Sequence, residues 1–251
     1  MPFDSNKIFR VRELSLIYGS KDSTNAALSN VTLDIMSGQI TALVGPSGSG
    51  KSSLLRCLCG LMSPTSGDIF YRDFEVTRLP SNRWTKLRRD EIHIVTQQVS
   101  LIPYLTIWEN VELVLPKGDV EQRDQARALL KNLNLQGMCD KFPRQLSVGG
   151  RQRVTVIRAL LNNPKVILMD EPTAALDVAN AQAVMDVLRS RANEGVAIVM
   201  ATHDFFIEQL ADVVHFLRDG KQVSVNDRSR EENTLASLEL NNAKVVKTSE
   251  G

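Results

Sequence analysis

The stretch that decides the fold is "GPSGSGKSS", residues 45–53. It fits the pattern Gly-x-x-x-x-Gly-Lys-Ser/Thr and stands between a β-branched run, "QITALVG" (39–45), and a predicted helix over 50–62. Glycines let the backbone wrap closely around phosphate groups, while backbone amides, a helix N-terminus and Lys51 supply positive potential. The hydroxyl of Ser52 is suited to hold Mg²⁺. A turn with a solvated lysine is the weaker interpretation, because both the pattern and its strand-to-helix context are complete.

The predicted phosphate-binding residues are Gly45, Pro46, Ser47, Gly48, Ser49, Gly50, Lys51, Ser52 and Ser53.

A second stretch, "VILMDEP" (166–172), is an apolar strand that ends in two carboxylates. Asp170 at the end of such a strand can reach Mg²⁺ directly or through water. Glu171 would then lie beside the terminal phosphate and accept a proton from an attacking water molecule. Two adjacent acids after a strand are ordinarily a solvated turn, and the phosphate loop is what favours the functional interpretation.

Three single residues gain meaning from their positions. His203 ends the apolar strand "VAIVMATH", Gln97 ends "HIVTQ", and Tyr18 precedes a glycine at the end of an early strand. Taken alone, each is more often structural than a ligand contact.

The pattern around these stretches predicts an α/β fold with a parallel sheet. "IFRVRELSLIYG" (8–19), "AALSNVTLDI" (26–35) and the hairpin-like "GDIFYRD" predict a small antiparallel β lobe at the front. Helical patterns dominate from about 81 to 161, as in "VEQRDQARALLKNLNL". Short, wholly apolar runs then alternate with helices, which suits parallel strands covered on both faces. We expect one domain over 1–225 with a helical insertion, and a polar tail over 226–251.

Composition narrows the function classes. The formal net charge is +1, so nothing indicates the basic face that nucleic acids require. No apolar run approaches the roughly 20 residues that span a bilayer, and the first residues lack the apolar centre of a secretory signal. We therefore expect a cytoplasmic protein whose membrane role, if it has one, depends on a partner. Cys57, Cys59 and Cys139 are interpreted as reduced thiols, with a metal site at the first two disfavoured.

Six motifs in order now resemble a known family. They are the phosphate loop, the loop at Gln97, "QLSVGGRQRV" (145–154), the Asp-Glu-Pro strand, "AALD" (174–177) and "THD" (202–204). This arrangement resembles the nucleotide-binding subunit of an ATP-binding cassette (ABC) transporter over residues 8 to 225. The resemblance implies a P-loop NTPase core, ATP and Mg²⁺ as cofactors, and ATP hydrolysis coupled to transport.

The same resemblance implies individual roles. Tyr18 would stack on adenine, Gln97 would monitor Mg²⁺ and the membrane partner, and Asp170 would be the Mg²⁺ carboxylate. Glu171 would be the catalytic base, with His203 on the terminal phosphate.

The resemblance also implies a dimer and a membrane partner. Two copies would face each other head to tail, so that Ser147, Gly149 and Gly150 of one copy approach the other copy's ATP. Asp177 would lie along the dimer seam. An integral-membrane permease subunit would hold the chain at the inner face of the membrane, near "SLIPYLTIWENV" (100–111), whose apolar residues are equally compatible with ordinary core. One intact set of motifs favours a homodimer, with pairing to a related subunit left open.

Three longer segments narrow the resemblance to a branch. Residues 45–69, 79–113 and 169–177 look like ATPases that release lipoproteins or export macrolides or glycolipids, and like the cell-division cassette ATPase. We therefore expect an exporter or extractor of a lipid, lipoprotein or amphiphile. An ATP-binding regulatory module coupled to a membrane partner without solute transport is the alternative. A chromosome or DNA-repair ATPase is disfavoured, because residues 98–145 leave no room for a long coiled coil.

Two positions depart from the family pattern. Thr96 stands where an aromatic residue is usual, which is expected to be a mild packing change. In the signature stretch, Val148 replaces a glycine and Gly150 replaces a glutamine, while Ser147 and Gly149 remain. Val148 would be strained by about 1–2 kcal/mol if its backbone had to be left-handed. The expected phosphate donors survive, so we predict a weakened but working signature.

Overall fold

The computed structural model describes residues 6–20, 23–97 and 100–227. The predicted tail beyond Asp227 therefore lies outside the described residues.

In the described part of the chain the strands fall into two sheets, one antiparallel with order β2-β1-β4-β5, and one of six strands with order β10-β9-β3-β8-β7-β6. The strands are β1 (Lys7–Ser20), β2 (Ser23–Met36), β3 (Ile40–Val44), β4 (Ser66–Tyr71), β5 (Phe74–Glu75), β6 (Ile92–Val95), β7 (Val166–Asp170), β8 (Ala197–Thr202), β9 (Val213–Arg218) and β10 (Lys221–Asp227). The helices are α1 (Lys51–Leu58), α2 (Ser81–Asp90), α3 (Ile107–Glu112), α4 (Val120–Asn132), α5 (Val148–Leu161), α6 (Val178–Asn193) and α7 (Phe205–Leu210).

The core strands of the larger sheet are parallel and buried on both faces. β3 pairs in parallel with β8 and β9, and β7 pairs in parallel with β6 and β8. Along β7, Ile167 and Met169 face a core shared with α3 to α6, whereas Val166 and Leu168 face a second core shared with α1 and the antiparallel sheet. Alternate side chains of a strand point to opposite faces, so a strand covered twice must be apolar throughout. The prediction of a parallel α/β core with an antiparallel lobe is confirmed.

The predicted helical insertion over about 81–161 is too long at its start. β6 lies inside that range and pairs with β7, so the sheet continues through it. The preceding helix α2 buries Trp84 in the core shared with the antiparallel sheet. In sequence, the charged helix α2 and the four-residue strand β6 look like a continuation of the helical segments that follow them. Only the pairing of β6 with β7 identifies the strand. Between β6 and β7 the described residues include the helices α3, α4 and α5.

Two element ends also differ from the predictions. α1 ends at Leu58, short of the expected residue 62, because Gly60 has a left-handed backbone (φ 65°) and lies under Trp84. At the other end of the chain, β10 continues to Asp227, past the predicted limit of 225, as an antiparallel partner of β9. Within the described residues, no helix has the length and apolar character needed to cross a bilayer.

Candidate functional site

Parallel pairing brings the predicted functional residues to one edge of the six-stranded sheet. The phosphate loop follows β3, Gln97 follows β6, Asp170 ends β7, and His203 follows β8. The carboxyl ends of parallel strands meet at the same edge, which is where open α/β sheets bind ligands. The order of the strands, β3-β8-β7-β6, therefore places a loop, two carboxylates, an imidazole and an amide around one point.

The phosphate loop owes its shape to close backbone approaches. A Cβ at Gly45 would lie 2.1 Å from the carbonyl oxygen of Leu217, so that position admits no side chain. Gly50 precedes α1 with φ 101°, a left-handed conformation, and a Cβ there would lie 2.4 Å from the carbonyl oxygen of Ala27. These glycines fold the loop over the start of α1, whose first backbone amides have no partner within the helix. The loop thus presents donors of the kind that bind phosphate oxygens.

Lys51 adds the charge of this loop. Its Nζ donates to the carbonyl oxygens of Gly45 at 2.6 Å and Pro46 at 3.0 Å, so the side chain spans the loop. Burial lowers the pKa of Lys51 from its usual value, and the negative charges of Glu171 and Asp170 oppose that shift. The positive charge of Lys51 attracts phosphate oxygens, and the two nearby carboxylates attract a divalent cation. The site is therefore suited to bind a polyanion together with a divalent cation.

Ser52 and Asp170 form the part of the site that fits Mg²⁺. The Ser52 hydroxyl donates to Oδ1 of Asp170 at 2.9 Å, which joins the start of α1 to the end of β7. Hydroxyl and carboxylate oxygens are the ligands that Mg²⁺ prefers, and this ion commonly takes few protein ligands and retains water and phosphate oxygens. Among the described residues, no three His, Cys, Asp or Glu side chains are arranged so that they could hold a metal ion by themselves.

Glu171 and His203 are paired. Nδ1 of His203 lies 2.8 Å from Oε1 of Glu171, and the carboxylate is the acceptor. The Glu171 backbone is left-handed (φ 52°), and its N–H donates to the carbonyl oxygen of Ala201 at 2.9 Å. In this conformation the Glu171 carboxylate contacts His203. A carboxylate fixed by an imidazole beside a phosphate loop has the placement that a general base for water requires.

One cavity of ≈ 430 Å³ collects these groups. Of the predicted residues it is lined by Tyr18, Ser47, Gly48, Ser49, Gly50, Lys51, Ser52, Ser53, Gln97, Asp170, Glu171 and His203, with Gly45 and Pro46 at the base of the loop. Asn25, Ala26, Ala27 and Ala174 also line it and were not predicted, since short polar or small side chains carry no sequence signal. Hollows of ≈ 480 and ≈ 520 Å³ lie elsewhere on the described surface, but neither is bordered by the phosphate loop.

Tyr18 stands at the rim of this cavity. Its ring is 39% exposed, and its hydroxyl lies 3.4 Å from Oγ of Ser53 and 2.9 Å from the sulfur of Met62. The hydroxyl of Tyr18 therefore contacts the protein, while part of the side chain stays exposed beside the cavity.

The signature residues lie outside the cavity, at the first turn of α5. Ser147 is the N-cap, and its Oγ accepts a hydrogen bond from the backbone N–H of Gly150 at 3.0 Å. Val148 begins the helix with negative φ and is 55% exposed, so the left-handed strain considered for it does not arise. Gly149 is confined, because a Cβ there would lie 2.6 Å from the carbonyl oxygen of Ala175. Asp177 is also outside the cavity, capping α6 through the N–H of Asn180 at 2.8 Å.

A parallel sheet with a phosphate loop and two carboxylates that line the same cavity is typical of the class of P-loop ATPases. Within that class, the ABC transporter family model matches residues 28–174 of this chain. The chain belongs to the ABC transporter family and is the ATP-binding, ATP-hydrolysing subunit of a membrane transporter.

Relatives and solved structures agree with that assignment. An uncharacterized ABC transporter ATP-binding protein of Methanocaldococcus jannaschii is 38% identical over 83% of this chain and 95% of its own length. A putative hemin import ATP-binding protein, HrtA of Staphylococcus aureus, is 39% identical over 84% of this chain and 97% of its own length.

The dimeric ATP-binding cassette MJ0796, solved bound to ADP and phosphate, has a TM-score of 0.81 at 35% identity and covers 88% of this chain and 98% of its own. The cassette cbiO1 of Clostridium perfringens, part of a transporter complex, has a TM-score of 0.76 at 28% identity over 98% of this chain and 100% of its own.

Proposed function

We propose that this subunit powers the export or extraction of a lipid, lipoprotein or amphiphile through head-to-tail dimerisation driven by ATP. The observation that carries the motor function is the convergence of Lys51, Ser52, Asp170, Glu171 and His203 on one cavity. The substrate class rests on the likeness of residues 45–69, 79–113 and 169–177 to lipid- and amphiphile-handling ATPases. HrtA, the relative named for hemin import, is consistent with an amphiphilic cargo, although its name gives the opposite direction.

We assign the following roles in hydrolysis. The loop amides and Lys51 hold the phosphates, and Tyr18 packs on the adenine. Ser52, Asp170 and Gln97 hold Mg²⁺, which neutralises phosphate charge when it is bound. Glu171 accepts the proton of the attacking water, and His203 orients that carboxylate and contacts the terminal phosphate.

The residues outside the cavity complete the site of a second copy in this proposal. Ser147 accepts the Gly150 N–H, so its own O–H proton remains free to be donated outward. Gly149 keeps the first turn of α5 close to Ala175, beside Asp177 at the seam. Because Val148 is helical and exposed, its side chain changes the surface that meets the partner and leaves the donors in place. These features support a working signature in a homodimer.

The loop before α3 is the proposed docking surface for the permease. Ile102 and Tyr104 are exposed, the latter at 87%. Asn110 is fully buried; its Oδ1 accepts the Ile102 N–H at 2.8 Å, and its Nδ2 lies within hydrogen-bond distance of three carbonyl oxygens of the same segment. A rigid loop that displays apolar side chains is suited to a partner surface. Docking there would hold the chain at the inner face of the membrane.

Steady-state hydrolysis of Mg-ATP by the purified chain tests the motor function. We expect turnover to rise more steeply than linearly with protein concentration, because each site needs a second copy, with Glu171→Gln as the blank. Val148→Gly/Gly150→Gln restores the usual signature and serves as the comparison. Turnover by the restored variant alone would show that the natural chain is a nucleotide switch, or needs a partner with another signature.

The cargo class is tested with the permease present. We expect the subunit reconstituted with its permease in proteoliposomes to hydrolyse ATP faster when a lipopeptide or hemin is added. A hydrophilic sugar at the same concentration is the control. Stimulation by the sugar alone would contradict the proposed cargo.

A further inference from the structure

Gln152 is a buried amide on α5 that the sequence patterns did not single out. Gln152 is only 7% exposed, and its side-chain Nε2 donates to the backbone carbonyl oxygen of Glu171 at 2.6 Å. Burying an amide among apolar neighbours is unfavourable unless it makes hydrogen bonds. This amide makes its bond to the backbone of the residue that the site uses as a base.

The backbone conformation of Glu171 must be stabilised by contacts with neighbouring groups. A left-handed conformation is unfavourable for a residue with a side chain, and it persists only where the surroundings enforce it. On the amino side, the Glu171 N–H is bound to the Ala201 carbonyl at 2.9 Å. On the carboxyl side, the Ala174 N–H approaches the Glu171 carbonyl only at 3.4 Å, so the Gln152 bond is the short one. With both flanking peptides held, the direction of the Glu171 side chain is set.

We propose that Gln152 is a positioning residue for hydrolysis, which holds Glu171 in the conformation that pairs its carboxylate with His203. The inference rests on the proposed function in one respect, the role of Glu171 as the base. Gln152 does not line the ATP cavity, so it acts through the Glu171 backbone and not on the nucleotide.

The same contact joins two faces of the subunit. Gln152 is five residues from Ser147, the N-cap of α5, and one helical turn from Gly149, which touches Ala175 just beyond Glu171. The first turns of α5 therefore contact the segment after β7 at two points. If α5 shifts when Ser147 meets the other copy's nucleotide, the carbonyl of Glu171 must follow.

The test compares two variants that keep the approximate volume of Gln152 and remove its hydrogen-bond donor, one with a neutral side chain and one with a carboxylate. Gln152→Met removes the donor from a side chain of similar length, and Gln152→Glu replaces it with an acceptor. We expect kcat to fall about 10- to 100-fold, as for small displacements of a catalytic group, with KM for ATP changing by less than about threefold. Thr155→Val is the matched control, since its hydroxyl donates to the Arg151 carbonyl within the same helix.

A second measurement separates positioning from general structural damage. In a Glu171→Gln background, Gln152→Met should lower the residual single-turnover rate no further, because residues that act as one unit are not additive. Thermal unfolding and ATP affinity of each variant are recorded alongside.

Each outcome decides the inference. A Gln152→Met protein with wild-type kcat overturns it, and so does a variant that loses ATP affinity and kcat together, or one whose effect persists without Glu171. If the natural chain turns over no faster than Glu171→Gln, the proposed function itself fails, and the inference falls with it. That result is distinct from a natural chain that is active and insensitive to position 152.

Discussion

The phosphate loop leads into helix α1, and the signature turn, residues 147–150, begins helix α5. The two differ in how closely the rest of the chain packs against their backbones. In the loop, Gly45 and Gly50 face carbonyl oxygens at distances that admit no side chain, and Lys51 is tied to the loop itself. In the signature turn only Gly149 is confined in that way, while Val148 is exposed. Within these two turns, the sequence keeps the family glycines where a Cβ would meet backbone oxygens, and departs from the family pattern at Val148, whose side chain is exposed.

The largest expected effect lies in the cavity that Glu171 lines together with the phosphate loop. Glu171→Gln removes the acceptor for the proton of water, and we expect kcat to fall by about 10²- to 10⁴-fold, the usual contribution of a general base. Phosphate release at saturating Mg-ATP measures it. Glu208→Gln on α7, outside the cavity, is the control and should keep wild-type turnover. Equal rates for the two variants would remove Glu171 from its assigned role.

Gly149→Ala tests the one confined position of the signature turn. The added methyl group would lie 2.6 Å from the Ala175 carbonyl oxygen, so α5 or the segment after β7 must move. Because displacements of this size disturb reacting geometry, we expect turnover to fall about 10- to 100-fold. Gly137→Ala is a matched control, since its methyl group would meet nothing within 4 Å. Full activity in Gly149→Ala would show that the signature turn accepts a side chain even at its one confined position, unlike the phosphate loop.

Ser147→Ala separates capping from partner contact. Loss of the cap to the Gly150 N–H should lower the free energy of unfolding by about 1 kcal/mol, measured by urea denaturation. Asp119→Ala removes a comparable cap, to the Gln122 N–H of α4, and should cost a similar amount. We expect turnover to fall in Ser147→Ala and to stay unchanged in Asp119→Ala. An equal loss of turnover in both would mean that Ser147 serves stability alone.

Val148→Gly should have the smallest effect. Since Val148 has no left-handed strain to relieve, glycine gains nothing there and loosens the helix start by at most about 1 kcal/mol. We expect turnover within about threefold of the natural chain, because the donors at Ser147 and Gly149 are untouched. A rise above tenfold, measured under the same steady-state conditions, would show that the exposed valine obstructs the partner and would reverse the comparison.

Sequence patterns were sufficient to predict the parts of the site whose residues lie close together in the sequence. The phosphate loop, the paired carboxylates and the apolar core strands follow from spacing and alternation, and the structure brings them together. The position of β6 within the helical stretch was missed, because a four-residue strand is defined by its pairing with β7. Gln152 was missed for a related reason, since a lone glutamine in a helix becomes meaningful only once the fold brings it to Glu171.

The left-handed backbone of Glu171 also carries a cost in folding free energy. A non-glycine residue at φ 52° stores roughly 1–2 kcal/mol of conformational energy, which a glycine there would not store. Glycine would, however, give up the contact with His203 and increase the conformational freedom of the unfolded chain. The residue proposed as the base is thus held by its neighbours in a conformation that it would not adopt alone.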